Sequence, residues 1–232
     1  MKKFALIISM VAVFSLQGFS QAGTYSFGLK LGPTFDWASS ASTAARNQKM
    51  KTGYTLGIIV DHYYTDHIAL STGINYNYWR GQYRFTDSRM IPDFLEEVPL
   101  NPVDRRVRAT YFEVPLKIKV KAEVIDGWKA FAEAGAGVSL NTMDKTKDEY
   151  KFYWVNHTGK SYTDAYFYQY RWLQAALNFG IGTEYQINKK FGVFAQISFN
   201  HALTNTFTRD MEQLTGSDLK TNFIGLEVGI IL

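Results

Sequence analysis

The chain has 232 residues, a length that suits one domain with a sizeable core. It contains no cysteine, which excludes disulfides, thiolate metal sites, cysteine nucleophiles and a lipid-modified N-terminal cysteine. The formal net charge is +4, and two of the lysines lie in a segment that we expect to be removed. The charge is therefore too small to indicate a nucleic-acid-binding protein.

The first 22 residues have the pattern of a secretory signal peptide. Lys2 and Lys3 give a charged start, and residues 4–16 form an apolar run too short for a transmembrane helix. Ser20 and Ala22 are small residues that suit cleavage after either one. We therefore expect residues 1–22 to be removed and residues 23–232 to form the mature domain.

Alternation of apolar and polar residues predicts eight strands in the rest of the chain, because successive side chains on a strand point to opposite faces. Their approximate bounds are 24–37, 51–64, 67–79, 110–123, 128–140, 168–185, 191–203 and 220–232. The connections between them alternate between long and short. An even number of strands with short turns at one end and long loops at the other is typical of outer-membrane barrels.

The clearest alternation lies in the fourth and fifth predicted strands, where Leu116 and Ile118 alternate with Lys117 and Lys119. Soluble strands usually run to about 5–6 residues, whereas a tilted crossing of a bilayer takes roughly 9–11. These two strands are long enough to cross. The sequence therefore predicts an all-β protein in the cell outer membrane: a closed, eight-stranded antiparallel up-and-down barrel, apolar toward lipid and polar inside.

Aromatic residues cluster near both ends of the predicted strands, as in the interfacial belts of membrane barrels. All nine arginines fall in or beside the predicted outer loops. There, guanidinium groups would bind the phosphates of outer-membrane lipid and lipopolysaccharide, which we expect as partners. The alternative is a soluble lipocalin-type barrel with its apolar face inward. That alternative would bury the aromatic belts and would not explain the predicted signal peptide or the alternating loop lengths.

The polar face would place nearly equal numbers of cations and anions inside the barrel. Because buried charges need partners in a low dielectric, we expect a network of paired charges that plugs the lumen. The predicted network comprises Glu113, Lys117, Lys119, Lys121, Glu133, Glu184 and Glu227, with further inward charges at Lys30, Lys51, Lys129, Asp36, Asp61 and Glu123. A narrow porin-like channel is the alternative, although water-filled channels are seen with about sixteen strands. At Pro115, which has no N–H for the strand ladder, we expect a bulge or kink.

Residues 111–119, Tyr-Phe-Glu-Val-Pro-Leu-Lys-Ile-Lys, resemble the aromatic-x-Glu-aliphatic-Pro-Leu strand of a Bacteroidota outer-membrane barrel family, known as porin family or PorT-like. The glycines of residues 28–32, the Ala/Gly-rich residues 132–137 and the Gly-x-Glu pattern of residues 182–184 are similar to that family too. The resemblance implies a small outer-membrane barrel. One branch is associated with type IX secretion and gliding, which implies an accessory role in a secretion machinery as a further alternative.

The sequence offers few candidates for chemistry. His157, Ser161 and Asp164 share a predicted loop, while strand parity places His201 and Ser198 on opposite faces. We therefore expect no catalytic residue, although small outer-membrane barrels can host lipid-modifying enzymes, which we keep as the least favoured alternative. No spacing typical of metal ligands is present, and we expect no cofactor.

The predicted long loops are better candidates for a binding surface, since exposed aromatic residues at this density usually mark contacts. The candidate interaction residues are Arg84, Arg105, Arg106, Tyr153, Trp154, Tyr166 and Tyr168. We therefore predict a structural or interaction role, in which the barrel presents these loops to a partner protein, glycan or lipid.

Overall fold

A computed structural model of the chain describes residues 24–39, 45–47, 49–86, 102–152, 157–164, 171–188, 191–206 and 219–232. These residues form ten strands: β1 (Thr24–Ser39), β2 (Ala45–Asn47), β3 (Lys51–Tyr63), β4 (Ile68–Thr86), β5 (Pro102–Ile125), β6 (Trp128–Phe152), β7 (His157–Asp164), β8 (Leu173–Asn188), β9 (Phe191–Ala202) and β10 (Lys220–Ile231). Among the same residues, no helix has the length and apolar character to cross a membrane. The predicted signal peptide lies outside the described ranges.

Eight of the strands close into a barrel. The order around the wall is β1, β3, β4, β5, β6, β8, β9 and β10, and β10 pairs back with β1. Every pairing is antiparallel, so the predicted closed eight-stranded barrel is confirmed. Short turns join β3 to β4, β5 to β6 and β8 to β9 at what we call the turn end. The longer connections lie at the opposite, loop end.

The two faces of the barrel wall differ as the alternation predicts. Leu116 and Ile118 expose 57% and 60% of their surface on the outside, whereas Lys117 and Lys119 expose 7% and 2%. Large exposed apolar residues occur on all eight barrel strands. An apolar exterior around an ionic interior is the reverse of a lipocalin-type barrel and matches a wall that faces lipid.

Aromatic rings line the outer wall near both ends. At the loop end, the Tyr54 ring stacks on Tyr76 and Tyr78 with centroids 6.1 and 5.1 Å apart, and Tyr76 meets Phe112 edge-on at 5.4 Å. At the turn end, the rings of Trp128 and Tyr185 lie 4.9 Å apart. Such rings sit at the membrane interfaces of outer-membrane barrels, so the two groups mark the upper and lower limits of the lipid-facing band.

Three strands are longer than the sequence predicts, because β4 continues to Thr86, β5 begins at Pro102 and β6 continues to Phe152. Part of the predicted loop over residues 80–108, and most of the one over residues 141–167, is therefore sheet. With β2 paired to β4 and β7 paired to β6, these upper parts form what we call the extended sheet, in the order β2-β4-β5-β6-β7. The prediction from apolar alternation did not include the extended sheet, because charged residues follow one another on both faces beyond the lipid-facing band.

The prediction of a bulge at Pro115 is wrong. Pro115 pairs in regular register with β6. The β5–β6 register shifts at two other places: between Thr110 and Tyr111, where Thr142 is the extra residue on β6, and between Glu123 and Ile125, next to the turn. Against β4, the pairs formed by Val114 and Pro115 are missing, but the register resumes unchanged. A lost ladder hydrogen bond therefore interrupts the pairing at Pro115 without displacing the strand.

Candidate functional site

Among the residues that the structure describes, four lysine–carboxylate pairs lie in the barrel lumen. Lys30 Nζ is 2.9 Å from Glu227 Oε2, and Lys117 pairs with Glu133, in each case between neighbouring strands. The other two pairs reach past an intervening strand. Lys119 on β5 is 2.8 Å from Asp61 on β3, and Lys121 on β5 is 2.6 Å from Glu184 on β8. These last two pairs therefore cross the lumen rather than follow its wall.

Glycines directly opposite the charged residues make room for them. Gly135 lies across from Lys117, Gly180 across from Glu133, and Gly57 across from Lys30. A Cβ atom added at Gly180 would come within 2.8 Å of Glu133 Cγ. The interior of an eight-stranded barrel is only wide enough for side chains to fill, so a long charged residue needs a small residue beside it.

Glu113 is bound by amides instead of by a lysine. Its carboxylate accepts hydrogen bonds from four asparagine Nδ2 atoms at 2.8–3.3 Å, and these come from Asn75, Asn77, Asn178 and Asn200. The four residues belong to β4, β8 and β9, so this cluster also crosses the lumen. Glu113 is 1% exposed and has no salt-bridge partner among the described residues. Four amide donors thus stand in for a counter-ion.

An apolar layer lies toward the turn end. The rings of Phe131 and Phe194 meet edge-on with centroids 6.2 Å apart and pack with Ile231. Each ring lies over the glycine directly opposite it, Phe131 over Gly182 and Phe194 over Gly229. Lys119 Nζ is 4.6 Å from the centroid of the Phe131 ring, a cation–π contact that joins this layer to the ion pairs.

Trp79 and Tyr111 close the lumen near the loop end. Trp79 on β4 donates its indole N–H to the carbonyl of Asn222 on β10 at 3.2 Å, across the barrel. Both rings are buried, and the cavity that they line has a volume of about 20 Å³, enough for roughly one water molecule. Below the ion pairs, a wider vestibule of about 660 Å³ opens at the turn end, and it reaches inward to Lys121 and Glu184.

All seven residues of the predicted charge network lie in the lumen. The prediction that inward charges pair with one another does not hold for Glu113. Asp36 likewise has no salt-bridge partner among the described residues; its Oδ2 accepts the backbone N–H of Arg80 at 2.8 Å. From the sequence alone, the four asparagines that bind Glu113 could be identified only as polar residues that point inward. Nothing in the spacing of a strand shows that residues from three strands converge on one carboxylate.

The predicted interaction residues are only partly described. Arg84 and Arg106 are exposed on the outer face of the extended sheet, and Arg105 lies on β5. The aromatic candidates Tyr153, Trp154, Tyr166 and Tyr168 fall outside the described residues. Their role in binding stays a prediction.

The structure does not bring Ser198 and His201 together; His157, Ser161 and Asp164 lie on β7, and a role for them stays untested. Ser198 donates to Glu227 Oε1 at 2.6 Å inside the lumen, whereas His201 Nδ1 lies 2.6 Å from Asn222 Oδ1 and its ring stacks on Phe199. No group of three or more acidic, histidine or cysteine side chains in the described ranges has the geometry of a metal site.

Comparisons with known proteins agree with the fold. The chain matches the model of the family described as outer membrane protein beta-barrel domain over residues 17–208. No curated protein matches it. Among solved structures, Neisserial surface protein A has 10% sequence identity and a TM-score of 0.46, and the match covers 91% of this chain and 99% of that one.

Two further solved structures show the same level of likeness. OprG from Pseudomonas aeruginosa has 8% identity and a TM-score of 0.37, with 90% of this chain and 97% of that one covered. The protease OmpT from Escherichia coli has 9% identity and a TM-score of 0.37, with 92% and 98% covered. From its own family match, this chain belongs to the outer membrane protein beta-barrel domain family and lies in the cell outer membrane.

Proposed function

We propose that this barrel is a non-conducting membrane anchor that presents the extended sheet and its loops to a partner at the cell surface. The observation that carries the proposal is the filled lumen. Four kinds of contact link strands across it: the ion pairs, the Glu113 cluster, the Phe131–Phe194 layer and the Trp79–Asn222 hydrogen bond. An ion moving from end to end would have to break several of these contacts.

The orientation follows the general rule for outer-membrane barrels, in which short turns are periplasmic and longer loops extracellular. The extended sheet would then stand outside the cell, above the loop-end aromatic belt. Its length supports an interaction role, because β4, β5 and β6 continue well beyond what is needed to cross a bilayer. We propose no catalytic role, since Ser198 and His201 are each engaged elsewhere.

Conductance across a planar lipid bilayer tests the proposal. Purified protein should insert, as checked by the altered gel mobility of unheated folded barrels, without producing a steady current at moderate voltage. The runner-up function, a narrow channel, is favoured by the vestibule of about 660 Å³ at the turn end. A reproducible, salt-dependent open current from inserted wild-type protein would establish the channel and overturn the anchor.

The PorT-like resemblance supports a narrower version, in which the partner is a component of a secretion machinery. Cross-linking of the intact barrel in native membranes, followed by identification of the attached proteins, tests it. Attachment only to lipid and to abundant neighbours would remove the secretion role and leave the anchor.

A further inference from the structure

The vestibule at the turn end has two unlike walls. Its volume of about 660 Å³ lies within the range of roughly 300–1,000 Å³ that is usual for ligand pockets. On the side of β5, β6 and β8 it is lined by charged residues, among them Glu123 and Lys129. The opposite side, on β10, β1 and β3, is lined by Ile231, Tyr25 and Tyr63. The vestibule can therefore contact charged and apolar groups of one molecule together.

The charges of the vestibule are only partly paired. Lys121 and Glu184, at its inner end, are buried and lie 2.6 Å apart. Glu123 and Lys129 are directly across from each other on β5 and β6, where Glu123 is exposed and Lys129 is half-buried. Opposite charges at such positions can form a cross-strand ion pair. Within the described part of the chain, however, neither of these two side chains takes part in a salt bridge.

The turn between β3 and β4 adds two titratable residues to the rim of the vestibule. Asp66 and His67 both line it and are both exposed. Asp66, like Glu123, has no salt bridge among the described residues, so the acids without an ion pair outnumber the lysine without one, Lys129. This balance favours a ligand that brings an ammonium group together with a carboxylate over a simple anion.

The spacing of the two rim charges suits a dipeptide. Directly opposite residues of an antiparallel pair have Cβ atoms about 4.5–5.5 Å apart. The charged ends of an extended dipeptide are at most about 7 Å apart. The long side chains of Glu123 and Lys129 can therefore each reach one end of the same molecule.

We propose that the vestibule binds a short peptide with free ends, its ammonium group at Glu123 and its carboxylate at Lys129. The apolar side chains of the peptide lie against Ile231 and Tyr63 on the opposite wall. A simple ion would use only one of the two rim charges, and a free amino acid would fill little of the volume. Because short turns of outer-membrane barrels are periplasmic, the peptide comes from that compartment. The inference goes beyond the anchor, which concerns the other end of the barrel.

Ligand-observed NMR titration of the intact barrel in lipid nanodiscs tests the proposal, with dileucine as the probe. Wild-type protein should bind dileucine more tightly than N-acetyl-dileucine, which lacks the ammonium group, and than dileucine amide, which lacks the carboxylate. Each loss should weaken binding about three- to fivefold, as expected for a partly exposed ion pair. Diglycine and free leucine should both bind more weakly than dileucine. Empty nanodiscs measure how much of each probe enters the lipid.

Variants assign the two ends of the probe. Lys129→Met should lose the preference for dileucine over its amide and keep the preference over the acetylated form. Glu123→Gln should weaken the preference over the acetylated form, and adding Asp66→Asn should remove it. The matched control is Asp126→Asn, since Asp126 is an exposed acid of the β5–β6 turn outside the vestibule lining, and it should bind every probe as wild type does. Unheated gel mobility verifies that each variant is folded.

Three outcomes would overturn the peptide site. The first is equal binding of dileucine, its amide and its acetylated form to wild-type protein, and the second is free leucine binding as tightly as dileucine. The third is an unchanged preference for dileucine over its amide in Lys129→Met, or a loss in Asp126→Asn as large as that in Glu123→Gln. Each readout is independent of conductance, so the anchor and the peptide site can fail separately.

Discussion

The lumen ion pair between Lys30 and Glu227 offers the sharpest test of how the interior is held together. Lys30 Nζ donates to Glu227 Oε2 at 2.9 Å, and this carboxylate is its one side-chain partner among the described residues. Glu227 also accepts from Gln196 Nε2 and Ser198 Oγ, each at 2.6 Å. The two partners are therefore not equivalent. Without Glu227, the buried Lys30 cation has no counter-ion. Without Lys30, the Glu227 carboxylate still accepts two hydrogen bonds.

This difference sets the expected magnitudes. Glu227→Gln keeps the side-chain volume but leaves Lys30 charged and unpaired, which typically costs about 3–5 kcal/mol in the free energy of unfolding. Lys30→Met should cost less, about 1–3 kcal/mol, because two hydrogen bonds to the Glu227 carboxylate remain. The double variant Lys30→Met/Glu227→Gln removes both charges and should lie within about 2 kcal/mol of wild type. The two changes should thus be strongly non-additive.

Urea unfolding of the barrel in lipid vesicles, followed by tryptophan fluorescence, measures these free energies, and Lys49→Met at an exposed position serves as the control. Folded barrel should also be counted on unheated gels. The reasoning fails if Glu227→Gln costs under about 1 kcal/mol, or if Lys30→Met costs more than Glu227→Gln. It also fails if the two single losses simply add, since independent side chains would then replace the coupled pair.

Substitutions at three glycines extend the test to packing and to backbone conformation. Gly182→Ala should destabilise the barrel by about 1–3 kcal/mol, because the new Cβ would lie 2.6 Å from the Phe131 ring and 2.5 Å from the Ala195 carbonyl oxygen. Gly192→Ala, whose nearest neighbour would be 3.2 Å away, should cost clearly less in the same urea titration. Gly127→Ala should cost about 1–2 kcal/mol because Gly127 has a φ of +78°, and Gly127→Asn should cost less than that. Equal effects of Ala and Asn at Gly127 would contradict the backbone explanation.

The barrel wall could be predicted from the sequence because its cause is local. Residues such as Leu116 and Lys117 are neighbours in the chain, and lipid on one side with a filled lumen on the other forces period-two alternation. The same rule placed the turn that contains Gly127 between the predicted strands 110–123 and 128–140. Each of these features can be inferred from residues within one strand or one hairpin.

The contents of the lumen could be predicted only in part, because they depend on which strands face each other across it. The alternation of side chains along each strand showed that Glu113 and Asn178 point inward, but it did not show that they contact each other. The extended sheet was missed for a different reason. Arg106 and Arg108 lie above the lipid-facing band, where no apolar face is required and the pairing continues through backbone hydrogen bonds alone.

The pairing of β1 with β10 has a consequence for the order of assembly. Phe27 and Leu232 exchange two backbone hydrogen bonds, Phe27 N–H to the Leu232 carbonyl at 3.1 Å and Leu232 N–H to the Phe27 carbonyl at 2.7 Å. Contacts between residues so far apart in sequence form slowly. Until β10 arrives, the exported chain has two open strand edges, which could pair with other chains. During insertion, one edge of β1 therefore stays unpaired until β10 pairs with it.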